Sequence, residues 1–292
     1  MHRLACLSLV LVASVGCAAG SSSSSSTFGG GGGSGGSGAG LGSGGSSAGS
    51  SAGGFDPTGS GGGQGGAVGP AEVFAEGPNT LYKLDPDTKA VTEVGPFTGC
   101  DGGVIDLAVD KDGVMYATTT DALYRVDKTT GACTLLANGN YPNSLSLVPV
   151  GTVDPNDEAL VGFNGSDYVR IDKTTGAVTS IGTLTGGYTS SGDVVSVIGG
   201  GTYLTVKGNG CNDCIVEVDP TTGALVQMIG ALDHKSVFGL AFWGGTAYGF
   251  DDFGKLFAID LTNATTTPIQ TGLMVPQFWG AGSTTAAPLN PK

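Results

Sequence analysis

Basic residues are scarce in this chain: 12 Lys and Arg stand against 25 Asp and Glu, a formal net charge of −13 over 292 residues. Phosphate backbones are held by clustered Lys and Arg, so nucleic acid is disfavoured as a partner. Histidine is scarcer still. The two present are His2 and His234, which excludes a histidine-rich metal centre and leaves a Ser-His-Asp triad only His234 to use. No Gly-x-Ser-x-Gly elbow occurs. The apolar run Leu4 to Val15 is roughly twelve residues long, against the ~20 that a bilayer crossing takes. From Ala71 onward helical periodicity is also missing.

Glycine, by contrast, is abundant at 55 residues. Much of it lies in residues 18–70, a run of Gly, Ser and Ala whose only charge is Asp56. Such a chain buries too little apolar surface to offset its ordering entropy. It reads as a flexible tether with a typical span of about 40 Å. Ahead of it, His2 and Arg3, the apolar run and the boundary Gly16-Cys17 read as an export signal over residues 1–17.

The rest of the chain is organised around Leu123-Tyr124-Arg125-Val126-Asp127-Lys128-Thr129-Thr130-Gly131, followed by Cys133-Thr134-Leu135-Leu136. Alternation of Tyr124 and Val126 with Leu123 and Arg125 marks a strand. Asp127 closes a turn by accepting backbone N–H groups, and Gly131 supplies a left-handed conformation. Copies end at Asp85, Asp127, Asp172, Asp219 and Asp260, spaced 42, 45, 47 and 41 residues apart. In the first and last copies, Lys89 and Ala264 stand where glycine is expected.

Another strand pair precedes four of these hairpins: Val104–Val109 with Val114–Thr118, Ser144–Val148 with Ala159–Phe163, Val194–Ile198 with Thr202–Val206, and Val237–Phe242 with Thr246–Phe250. A strand-built period of this length fits a β-propeller with four strands per blade. Ala71 to Ala75 and the first hairpin lack an innermost partner, and Phe278 to Gly282 can supply it. The expectation is an all-β, five-bladed propeller over 71–287, its ring closed by the C-terminal strand on the N-terminal blade, with a tail at 288–292.

Four cysteines remain beyond Cys17, and an exported protein would oxidise them. The favoured pairing is Cys100 with Cys133 and Cys211 with Cys214, the latter in a segment that joins two strands. Asp110-Lys111-Asp112-Gly113 resembles the start of a calcium loop but lacks the Glu its twelfth position needs, so it reads as a turn. No metal and no cofactor are expected.

Carboxylates on inner strands can serve paired acid–base work. Asp106 and Asp193 are the candidates for a hydrolase of glycosidase or lactonase type, an incomplete set by themselves. No catalytic residue is assigned. The loops entering each inner strand, with those joining second and third strands, place Asp101, Tyr141, Asn143, Tyr188, Asp193, His234, Lys235, Asp251, Asp252, Phe253 and Gln277 on one face. Aromatic, amide and carboxylate groups together suit a glycan or an extended peptide.

Two resemblances add to this reading. Ser14-Val15-Gly16-Cys17 resembles the lipobox of bacterial lipoproteins, with Ser14 where leucine is usual. This implies a lipid on Cys17, membrane attachment through it and, with Ala18 next, sorting to the outer membrane. Plain secretion is the alternative. Leu123 to Gly131 is similar to YVTN or SMP-30-type repeats of extracellular propellers, which implies the fold and leaves function open. The expected protein is thus a monomeric, non-enzymatic binding module for a glycan or protein at the cell surface. A propeller hydrolase and a structural spacer of the envelope are the alternatives.

Overall fold

The computed structural model describes residues 72–291. The signal-like segment, Cys17 and the Gly/Ser-rich run lie outside the described residues.

Among the described residues, twenty strands form five four-stranded antiparallel sheets. Blade 2 holds β4 (Asp106–Val109), β5 (Met115–Thr118), β6 (Ala122–Val126) and β7 (Cys133–Asn138). Blade 3 holds β8 (Ser146–Val148), β9 (Ala159–Asn164), β10 (Asp167–Ile171) and β11 (Val178–Thr183). Blade 4 holds β12 (Thr189–Ser196), β13 (Thr202–Gly208), β14 (Cys211–Val218) and β15 (Leu225–Ala231). Blade 5 holds β16 (Val237–Trp243), β17 (Thr246–Asp251), β18 (Leu256–Ile259) and β19 (Thr266–Ile269).

Blade 1 is assembled from two distant segments. Its order is β20-β1-β2-β3, with β1 (Val73–Gly77), β2 (Thr80–Leu84), β3 (Val91–Pro96) and β20 (Gly280–Ser283). Val73 pairs with Ser283 and Glu76 with Gly280, so the chain's late strand covers an edge that β1 would otherwise leave open. Phe278, just ahead of β20, is fully buried between blades. Its ring meets Tyr82 of blade 1 at 5.9 Å and Phe250 of blade 5 at 5.2 Å, both edge-on. Edge-to-face pairs of this kind contribute roughly 0.5–1.5 kcal/mol beyond the area they bury.

The apolar clusters join neighbouring blades. One unites Phe74, Leu81, Leu107 and Tyr124 of blades 1 and 2, and another Phe163, Tyr168, Leu204 and Val216 of blades 3 and 4.

The recurring Asp turn follows one scheme in all five blades. The Oδ1 atoms of Asp85, Asp127, Asp172, Asp219 and Asp260 accept the N–H groups of Asp87, Thr129, Thr174, Thr221 and Thr262 at 2.7–2.9 Å. Each Asp carbonyl accepts the N–H four residues on, at 2.7–2.8 Å. That fourth residue has φ of 64°, 74°, 70°, 68° and 61° at Lys89, Gly131, Gly176, Gly223 and Ala264. Lys89 and Ala264 therefore adopt the glycine conformation at a cost of about 1–2 kcal/mol. The turns also meet the preceding blade, four through hydrogen bonds and the fifth through Ala264 packed against Gly230 of blade 4. Gly131 O accepts from Thr98, Gly176 O from the Tyr141 hydroxyl and Thr222 O from Thr183, while Lys89 Nζ donates to Tyr248 Oη of blade 5 at 2.6 Å.

Two disulfides reinforce the ring. Cys100–Cys133 spans 5.3 Å between Cα atoms and ties the connection out of blade 1 to the outer strand of blade 2. Cys211–Cys214 spans 6.0 Å. Contrary to the sequence expectation it does not sit in a connection: both cysteines belong to β14, where pairing with β13 shifts register between Val206 and Gly208.

Candidate functional site: the axial mouth and the acids beneath it

Each inner strand presents three successive residues near the ring axis. At the entry end stand Ile105, Asn143, Gly192, Phe238 and Trp279. One residue further along come Asp106, Ser144, Asp193, Gly239 and Gly280, then Leu107, Leu145, Val194, Leu240 and Ala281. The entry residues, with Ser191, line a cavity of about 270 Å³. All five blades contribute to this mouth. Its walls are mostly apolar, with the Asn143 amide and the Ser191 hydroxyl as polar groups.

Beneath the mouth lie two aspartates with no solvent exposure. Asp106 Oδ1 accepts from Leu107 N–H at 2.8 Å, and its Oδ2 from Leu145 N–H of blade 3 at 2.6 Å. Asp193 repeats the arrangement between blades 4 and 5, accepting from Val194 at 2.6 Å and Leu240 at 2.7 Å. A backbone contact from Ala281 adds the fifth blade strand of this layer. Two carboxyl groups thus cap the third-layer amides of the whole ring.

A third acid has no such role. Glu76 of β1 is fully buried, and neither carboxyl oxygen has a hydrogen-bond partner. It reaches inward across the bare backbone of Gly280. A Cβ there would sit 2.1 Å from Glu76 Oε1 and 2.4 Å from Asp106 Oδ1. Burial raises all three acids well above the ordinary carboxyl range. Asp193 adds to the rise at Glu76, and Asp193 and Glu76 add to it at Asp106. At Asp193, burial outweighs the hydrogen bonds that favour its charge. Glu72, four residues earlier, shows the contrast: Lys128 and Lys83 outweigh its burial and hold it below the usual range.

The opposite end of the axis is covered. Thr284 N–H donates to Glu72 O, Ile198 N–H donates to Thr285 O and Gly244 N–H donates to Pro288 O. The Thr285 hydroxyl donates to Glu158, a buried acid that also accepts from Lys111 N–H at 2.8 Å. The segment expected as a tail therefore runs over the far ends of blades 4 and 5.

Of the residues singled out in the sequence, only Asn143 lines the mouth. Asp193 lies below it. Tyr141 is buried, its hydroxyl donating to Gly176 O at 3.1 Å. Asp101 is exposed and its N–H donates to Tyr124 Oη. Tyr188 Oη accepts from Asn209 at 3.4 Å.

His234, Asp251 and Asp252 do come together, on the rim of blade 5. The His234 ring stacks on Phe257 at 3.6 Å, and its Nδ1 lies 3.1 Å from Asp251 Oδ2. Asp251 also closes the β17–β18 turn by accepting from Phe253 and Lys255, and Asp252 N–H donates to Ser236 O. Phe253 is 62% exposed there. Lys235 is exposed, and Gln277 is half-buried with its carbonyl against Gly77.

Sequence reasoning passed over Ile105, Phe238 and Trp279, which read as strand core. Their signal is positional: each immediately precedes an axial residue. Among the described residues, no group of three or more His, Cys, Asp or Glu is placed to hold a metal ion.

The fold and mouth define a five-bladed β-propeller. A family model described as a repeat of unknown function (DUF6923) matches residues 152–287, from the connection within blade 3 through blade 5 and β20. No curated protein matches the chain.

Among solved structures it is similar to a protein of unknown function from Bacteroides caccae, at 12% identity over 73% of this chain and 98% of that one, with a TM-score of 0.39. It is also similar to a chain of a nidogen/laminin complex (12% identity, 75% and 99% covered, TM-score 0.47). A third similarity is to BamB from Moraxella catarrhalis (13% identity, 66% and 70% covered, TM-score 0.32).

Proposed function

We propose that this protein is a non-enzymatic binding module whose axial mouth takes a glycan unit, held at the cell surface through a lipid on Cys17. One observation carries the reading: the mouth joins an indole and a phenyl ring, Trp279 and Phe238, to an amide and a hydroxyl, Asn143 and Ser191. Flat apolar faces beside a few convergent polar groups match the alternating CH and OH faces of a sugar. A terminal sugar also suits a cavity of about 270 Å³ better than a long chain does.

The same geometry weighs against the hydrolase alternative. Asp106 and Asp193 have no solvent exposure, and all four of their carboxyl oxygens accept backbone N–H groups. A general acid or nucleophile must touch its substrate. The two disulfides fit an oxidising compartment, in keeping with an exported protein.

A glycan array, followed by titration of the best ligand into wild type and Trp279→Ala, tests the proposal. At least a tenfold loss of affinity is expected in the variant with its melting temperature little changed. Array silence, or undiminished affinity in Trp279→Ala, would refute it. Turnover of a glycoside or lactone would restore the enzyme reading.

A further inference from the structure

We infer that the ring axis is a proton-binding site, in which Glu76, Asp106 and Asp193 are carried as neutral acids, and that loss of those protons loosens the ring beneath its mouth. The inference is independent of what fills the mouth.

Its first support is the lack of counter-charge. Among the described residues, the ion pairs of Lys83, Lys111, Lys128, Arg170, Lys173 and His234 all go to other carboxylates. From the strands packed around the three acids, the corresponding axial positions are Ser144, Gly239 and Gly280, none of them titratable. The groups that act electrostatically on the acids are the acids themselves. A buried carboxylate without a cation is costly enough that the group takes up a proton instead.

The second support is Glu76. Its two oxygens are buried with no hydrogen-bond partner, and Oε1 shares the space over Gly280 with Asp106 Oδ1. An ionised Glu76 would face two further acids, Asp193 and Asp106. The third is that no group of three or more His, Cys, Asp or Glu among the described residues is placed to hold a metal ion in the protons' stead.

Neutral acids remain compatible with the ring's construction. A protonated carboxyl still accepts hydrogen bonds, so Asp106 and Asp193 keep their amides, and either can donate to the other. The contact between them makes them a coupled pair whose titration belongs to both.

The sign of the pH dependence follows. These acids bind protons in the folded ring that the unfolded chain has released above its ordinary values of 3.8 and 4.5. Their stabilisation is therefore full at low pH and declines as pH rises through the folded values. Asp85, Asp127, Asp154, Asp157, Asp172 and Asp233 are held below the ordinary value by hydrogen bonds or by Arg170 and Lys173. Their contribution is lost only in stronger acid. Maximum stability is expected on the acid side of neutral.

The test is thermal unfolding of the full chain between about pH 8 and about pH 5, for wild type and Glu76→Gln. The wild-type melting temperature is expected to rise as pH falls. Glu76→Gln, which keeps the shape and cannot ionise, should melt above wild type at the alkaline end and show a shallower slope. The infrared carbonyl band of a protonated carboxylic acid should be present at neutral pH and weaker in the variant. A wild-type melting temperature that is flat or falls over this range overturns the inference. So does a stoichiometric metal in the purified protein whose chelation lowers the melting temperature, since a cation would then hold the acids.

Discussion

Five Asp turns around the outside of the ring are chemically alike, while five positions at its axis are not. Outside, the Asp carboxylate and the left-handed fourth residue recur from blade 1 to blade 5. Inside, the equivalent residues are Asp106, Ser144, Asp193, Gly239 and Gly280. The turns solve a problem that every blade shares, reversing the chain and meeting a neighbour. The axis has one centre for five strands, so its residues must differ to fit together. Repetition therefore carries the architecture, and the departures from it mark the individual site.

The sharpest way to break this comparison is to remove one carboxylate from each region. Asp193→Ala strands the buried N–H groups of Val194 and Leu240, at roughly 1–3 kcal/mol each, and should cost about 4 kcal/mol. Asp219→Ala opens a solvent-facing turn and should cost about 1 kcal/mol. Chemical denaturation of both variants measures the gap, and equal losses would mean that the axis is no more demanding than the rim.

Glycine gives a second comparison. Gly280→Ala drives a methyl into Glu76 and Asp106, with the Asp106 Cα at 3.0 Å behind them, for a loss of about 3 kcal/mol. Gly131→Ala meets a φ of 74° and Pro96 O at 2.7 Å, and about 2 kcal/mol is expected. The smallest effect belongs to Ala264→Gly. Relief of its φ of 61° is offset by the loss of a buried methyl, worth about 0.8 kcal/mol, so its denaturation midpoint should barely move.

The rim was readable in the sequence because its signals are local. Asp127 and Gly131 lie four residues apart, and strand alternation needs no partner to be seen. Even the closing strand could be inferred, since the three strands on either side of Asp85 lacked a fourth. The axis was not readable. Glu76 lies in Val-Phe-Ala-Glu-Gly, an ordinary strand by composition, and its isolation depends on Gly280 and Asp106, distant in sequence. The mouth was missed for a related reason. Polar loop residues such as Tyr141 and Tyr188 drew attention but serve the scaffold, while Trp279 and Phe238 look like core until the strands converge.

Because β20 belongs to the first blade but follows the fifth, assembly of the ring is tied to the order of synthesis. A nascent chain can complete blades 2 to 5 in sequence, each from contiguous residues. Strands β1 to β3 must wait for the last of the sheet residues to emerge. Until then the first blade keeps a bare edge strand and Glu76 lacks its seat beside Gly280. The slowest and most aggregation-sensitive step in assembling the ring is thus expected to be the meeting of its first strands with β20.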